Sequence, residues 1–208
     1  MPTGVLEKLF DSTARIKIIR LFLLNSDTLF APKDISRRCK VLPVVARREI
    51  SLLKKIDFIK QKTESIDDLI KLKNGKIKNK KKKIQGLRLN GFFPFLRPLK
   101  NLVLNAAPID RTKILKSFKS AGRMKLIILS GIFIQSDESR VDLLLVGDAI
   151  KKGILERILR NMEAEIGKEL SYSVFGTKDF LYRFGMYDRF VHDILDYPHE
   201  EILNRLDI

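Results

Sequence analysis

The sequence predicts an α+β protein: a helical first module closed by a strand pair, followed by a small α/β unit with a mixed sheet. Three observations carry this prediction. Residues 5–55 hold three short apolar patterns of helical period, and two brief alternating runs follow them. In the second half, continuous apolar runs alternate with a long amphipathic segment, as strands covered on both faces do. The charge divides in the same place: residues 1–100 hold 25 Lys and Arg against 9 Asp and Glu, whereas residues 101–208 hold 16 of each. An excess serving solubility would be spread evenly. A basic module joined to a neutral one points to polyanion binding by the first.

In VLEKLFDSTARIKIIRLFLL, residues 5–24, Leu6, Leu9, Phe10, Ile16, Ile19 and Leu23 recur at spacings near three and four. They bury one helical face, with Asp11 or Ser12 capping a restart near Thr13. In APKDISRRCK, Pro32 starts a short helix with Ile35 and Cys39 on one side. PVVARREISLLKKIDFIKQ reads as a third helix. Its inner side is assigned to Val45, Glu49 or Ile50, Leu52, Leu53 and Ile56; Arg47, Arg48, Ser51, Lys54 and Lys55 face outward. These are the proportions of a helix-turn-helix, whose last helix enters the major groove.

The segments DFIKQ and IQGLRL read as paired strands flanking a basic tract, with eight lysines in residues 71–83. Their mutual repulsion predicts a mobile loop, and DNA phosphates would relieve it with release of counterions. A strand pair after the third helix makes a winged helix with a long basic wing. A basic loop without a partner and a nuclear-targeting tract are the competing readings of the same lysines.

The first domain, expected over residues 1–91, resembles the winged-helix domains of bacterial and archaeal ArsR-type transcriptional regulators. With GLRLNGFFPFLRPLKNLVLN after the wing and DRFVHDILDYPHEEIL near the end, the whole chain resembles regulators that join such a domain to a nucleotidyltransferase-like one. The resemblance implies a recognition helix bearing Arg47, Arg48, Ser51 and Lys54, and a wing bearing Lys80, Lys81, Lys82 and Lys83. Bidentate guanidinium bonding assigns the arginines to base or close phosphate contact, and the lysines to nonspecific phosphate contact. Asp57 stands in the turn after the third helix, where these domains commonly have glycine.

Residues 92–109 are expected as a packed connector, with Phe92, Phe93 and Phe95 pinning it to a domain surface rather than stacking on bases. The nucleotidyltransferase-like domain is expected over residues 110–208. It opens with a helix from Asp110 to Phe118. Strands then run from Met124 to about Ser130 and from Val141 to about Gly147, followed by a helix, the strand SYSVF and a helix broken near Gly185.

Nucleotidyl transfer needs carboxylates converging on a divalent metal, and the superfamily supplies them as Asp-x-Asp after a Gly-Ser element. Here Ser130-Gly131-Ile132 keeps the glycine, while Arg140-Val141-Asp142 keeps one acid and replaces the other by a cation. Arg140 is expected to pair with Asp142, leaving no metal ligand set and no catalytic residues. Gly131, Arg140 and Asp142 form a candidate ligand pocket for a nucleotide or other small-molecule effector; dimerisation or packing alone is the competing role. Asp148 is assigned to capping the helix after its strand, and no acid–base pair is assigned to His192.

One cysteine, Cys39, and two histidines argue against a disulfide or a structural zinc site. The apolar runs fall short of a membrane span, and MPTGVLEKLF lacks the order of a signal peptide. The expectation is a cytoplasmic regulator of double-stranded DNA, with no membrane partner and no cofactor, acting as a homodimer. An active transferase modifying a protein or nucleic acid, including antitoxin-type action, and an RNA-binding or interaction scaffold are the alternatives.

Overall fold

A computed structural model describes residues 5–71, 77–105, 110–136 and 138–206, with side chains for all of these except 66–71, 77–82 and 105. The described residues form a mixed α+β protein, and the chain falls into two compact units, residues 1–106 and 107–208.

The first unit begins with α1 (Val5–Leu9) and α2 (Thr13–Leu24), separated by a break at Asp11, whose φ is 51°. Ser12 is the α2 cap, its Oγ accepting from the Arg15 N–H at 3.1 Å. α3 (Pro32–Cys39) ends at Lys40 in the left-handed region, and α4 (Pro43–Lys55) follows after a tight turn. That turn is held by the Ser36 Oγ, which donates to the Val41 carbonyl. Ile18, Phe22, Ile35, Cys39, Ile50 and Leu53 interlock as the core of these helices.

Asp57 (φ 59°) reverses the chain after α4, where glycine is the commoner residue, and its carbonyl accepts from the Asn90 side chain at 2.8 Å. β1 (Ile59–Lys71) and β2 (Ile77–Leu89) then form an antiparallel hairpin of 13 paired positions. At ~3.3 Å per residue each arm is about 40 Å long. The base of the hairpin is stitched to the helices by two backbone bonds between Phe30 and Leu87. Gly86 permits this approach, because a Cβ there would lie 2.7 Å from the Leu29 side chain.

Here the structure corrects one expectation. The lysine tract read as a loop runs as strand β2 through Lys80, Lys81, Lys82 and Lys83, and only residues 72–76 of the expected loop lie outside the described residues. The register sets Asp67 opposite Lys81 and Asp68 opposite Lys80.

The expected connector contains a helix, α5 (Leu96–Asn105), whose Val103 is fully buried in the first unit's core. Phe93 packs edge-on against Phe58 with ring centroids 5.4 Å apart, while Phe92 is 93% exposed.

The second unit begins with α6 (Arg111–Phe118), capped by Asp110. The Thr112 N–H and hydroxyl both donate to Asp110 and hold its carboxyl below the usual range. β3 (Arg123–Leu129) and β4 (Leu143–Asp148) pair antiparallel; α7 (Lys152–Ile166) then crosses over to β5 (Tyr172–Phe175), which pairs parallel with β4. α8 (Thr177–Gly185) and α9 (Arg189–Asp196) follow, and β6 (Glu200–Asn204) closes the sheet in the order β5-β4-β3-β6. Leu126, Ile128, Leu144 and Val146 pack on Phe180, Val191 and Ile194. The alternate residues Ile127, Leu129, Leu143 and Leu145 are buried too, as continuous apolar runs require.

Candidate nucleic-acid interface

The orientation of α4 follows from four residues at helical spacing. Ala46, Glu49, Ile50 and Leu53 form its buried stripe. Glu49 is a charged member of that stripe, and its carboxylate is satisfied on both oxygens. Ser12 Oγ donates to one at 2.9 Å and Arg15 Nε to the other at 2.8 Å. The α2 cap and the α4 inner face are thereby fastened together by charge-assisted bonds. Val45, Leu52 and Ile56, expected inside, are displaced from this stripe and remain exposed. The helix is thus rotated from the expected setting, with Ala46, Glu49, Ile50 and Leu53 inward. Leu52 and Ile56 instead flank an apolar cleft of about 300 Å³ shared with Ile19, Phe58 and Leu99.

Arg47, Arg48, Ser51, Lys54 and Lys55 are all exposed, on the outward side opposite Glu49. Arg37 and Lys40 are exposed just before them. The acids of this stretch are already engaged: Asp34 bonds Arg37, and Glu49 is turned inward. The outward face of α3–α4 is therefore cationic. In the hairpin, Lys60, Lys62 and Lys83 are exposed, while Arg88 is anchored by Glu64 and the Asp27 carbonyl. Lys80, Lys81 and Lys82 occupy consecutive backbone positions of β2.

In the second unit, the structure brings Gly131 and Asp142 together but directs Arg140 elsewhere. Asp142 Oδ1 accepts from the Ile132 N–H at 2.9 Å, and Oδ2 from the Ser171 N–H at 2.8 Å. Gly131 has φ +54°, and a Cβ on it would lie 2.2 Å from Asp142 Oδ1. The carboxylate thus fastens the single 3-10 turn at Gly131–Phe133 and the entry to β5. The expected Arg140–Asp142 pair does not form. Arg140 makes a two-nitrogen contact to Asp193 on α9, a partner that no local pattern links with it.

These residues do not fit a divalent cation. Asp142 is committed to backbone donors, Arg140 is turned to Asp193, and among the described residues no three His, Cys, Asp or Glu side chains group as ligands. Asp148 is also corrected: its Oδ1 accepts from the Thr177 N–H at the start of α8, while α7 has no side-chain cap. A cleft of about 500 Å³ opens beside it, lined by Lys152, Glu156, Tyr172 and Phe175, at the end of β4 remote from Asp142. His192 is stacked between Phe184 and Tyr187, with Nε2 3.1 Å from the Phe184 carbonyl, a packing role.

No described helix is long and apolar enough to cross a membrane. Compared with known proteins, the chain matches no family model, no curated sequence and no solved structure.

Proposed function

We propose that the chain is a DNA-binding transcriptional regulator, with a winged helix-turn-helix first unit and a non-catalytic nucleotidyltransferase-like second unit. The observation that carries this reading is the outward face of α4. Arg47, Arg48, Ser51 and Lys54 are exposed together on a helix whose opposite face is locked inward by Glu49. A helix fixed in this way can present guanidiniums to base edges without losing their orientation. The β1–β2 hairpin is the wing in this reading, and Lys80 to Lys83 supply phosphate contacts that carry no sequence information. Operators of two-fold symmetry favour two copies of the chain, and a homodimer is part of the proposal.

The second unit serves as a sensor or dimerisation domain. Its reading as non-catalytic is supported by Asp142, whose two oxygens are both spent on backbone N–H groups. Fluorescence anisotropy against a selected duplex and a random duplex tests the assignment. Replacing Arg47 and Arg48 by alanine is expected to cut discrimination between the two by roughly ten-fold or more, since a bidentate base contact is worth about 1–3 kcal/mol. Equal discrimination before and after the substitutions, or stronger binding to structured RNA at matched salt, would reject the reading.

A further inference from the structure

Two large apolar side chains stand in water at the N-terminal end of α4: Leu42 is 73% exposed and Val44 75% exposed. Neither serves the core, which takes Ala46, Ile50 and Leu53 from this helix. Neither improves the helix end, because Leu42 occupies the cap position without a side-chain bond, where Ser, Thr, Asp or Asn would stabilise it. Val44 nonetheless has a definite place. It precedes Arg47, Arg48, Ser51 and Lys55 by three, four, seven and eleven residues, so all five share one helical face.

An apolar residue in such a ring of cations narrows the choice of partner. The exposed cations nearest in sequence, Lys40, Arg47 and Arg48, favour a polyanion over an apolar protein surface, Arg37 being paired with Asp34. Within the major groove of duplex DNA, the apolar feature of a base edge is the C5-methyl group of thymine. Valine suits that target, because its branched side chain holds one preferred χ1 in a helix and has little rotamer freedom to lose on contact.

We propose that Val44, flanked by Leu42, reads a thymine methyl, so that thymine beside the bases met by Arg47 and Arg48 is a determinant of the preferred site. The inference rests on the DNA-binding reading and adds the base that the apolar tip selects. It makes Val44 a specificity residue beside Arg47 and Arg48 and leaves general affinity to the wing lysines.

The test uses the full-length protein. A preferred duplex is first selected from a random pool, and each thymine is then replaced in turn by deoxyuridine, which removes only the methyl group. At one or more positions the parent protein is expected to lose about four-fold in affinity, the value of one buried methyl-sized group. Val44→Ser should abolish that loss, and Val44→Ile should keep it. Val44 is exposed, so unchanged circular dichroism and thermal midpoint identify a folded variant. If a sequence is selected but deoxyuridine is tolerated at every position, or Val44→Ser keeps the penalty, the thymine inference is overturned and DNA binding stands. If no sequence is selected at all, the DNA-binding reading itself falls with it.

Discussion

Asp142 accepts two backbone N–H bonds, from Ile132 and Ser171, which join the end of β3 to the entry of β5. Hydrogen bonds to a charged acceptor are the stronger class, and an N–H left facing another donor loses its bond. Asp142→Asn keeps the shape but turns one acceptor into an N–H₂ group. It is expected to destabilise the second unit by roughly 1–3 kcal/mol, read from urea unfolding, with DNA affinity unchanged. Gly131→Ala should act in the same direction, since its Cβ would meet the Asp142 carboxylate and its φ is left-handed. A variant as stable as the parent would show that the two N–H groups find water as readily as the carboxylate. Glu49 repeats the logic in the first unit, where a buried acid is stabilised by Ser12 and Arg15 and in return fixes which side of α4 faces out.

At the scale of elements, the β1–β2 hairpin makes the sharpest claim, since its lysines lie in a paired strand. A strand alternates its residues between two faces, so four consecutive lysines cannot all meet one surface. Replacing Lys80 to Lys83 by alanine should therefore reduce the slope of log affinity against log salt by about 0.9 for each lysine that meets a phosphate, and by less than four such steps in all. Titrating binding at several salt concentrations reads the slope directly. A fall of the full four steps would mean that the tract leaves the ladder on binding, and no change would remove it from the interface. The elements themselves were legible where periodicity was strong: α2, α3, α4, β3, β4, α7 and β5 all lie where the apolar pattern sets them. β6 was not, because EEILN offers only Ile202 and Leu203 as an apolar signal, and its place beside β3 is a long-range pairing. The candidate site was legible in its cations, since Arg47 and Arg48 follow from helical spacing. The apolar tip proposed at Val44 was not, because exposed valine in a helix carries no sequence mark. The partners of Arg140 and Asp148 lie 53 and 29 residues away, beyond what local pattern can reach.

For the whole molecule, the decisive quantity is the division of charge. Residues 101–106 carry no ionisable side chain, so the unit of residues 1–106 holds the entire formal excess of +16 and the unit of residues 107–208 sums to zero. Each unit has a core of its own, built from Ile18, Phe22, Ile35 and Leu53 in the first and from Leu126, Ile128, Leu144 and Phe180 in the second. Counterion release depends on the phosphates neutralised, so the salt dependence of DNA binding should belong to the first unit. A fragment of residues 1–106 is expected to bind duplex DNA with the same salt slope per chain as the full protein, and a fragment of residues 107–208 to show no salt-dependent binding. The comparison also separates two effects that full-length affinity combines. If residues 107–208 pair the chains, the fragment of residues 1–106 loses affinity for a two-fold symmetric site, because each half then binds alone, while its slope per chain is kept. Analytical ultracentrifugation of both fragments distinguishes that outcome from misfolding. A slope that drops when residues 107–208 are removed would place phosphate contacts in the neutral half and refute the charge argument.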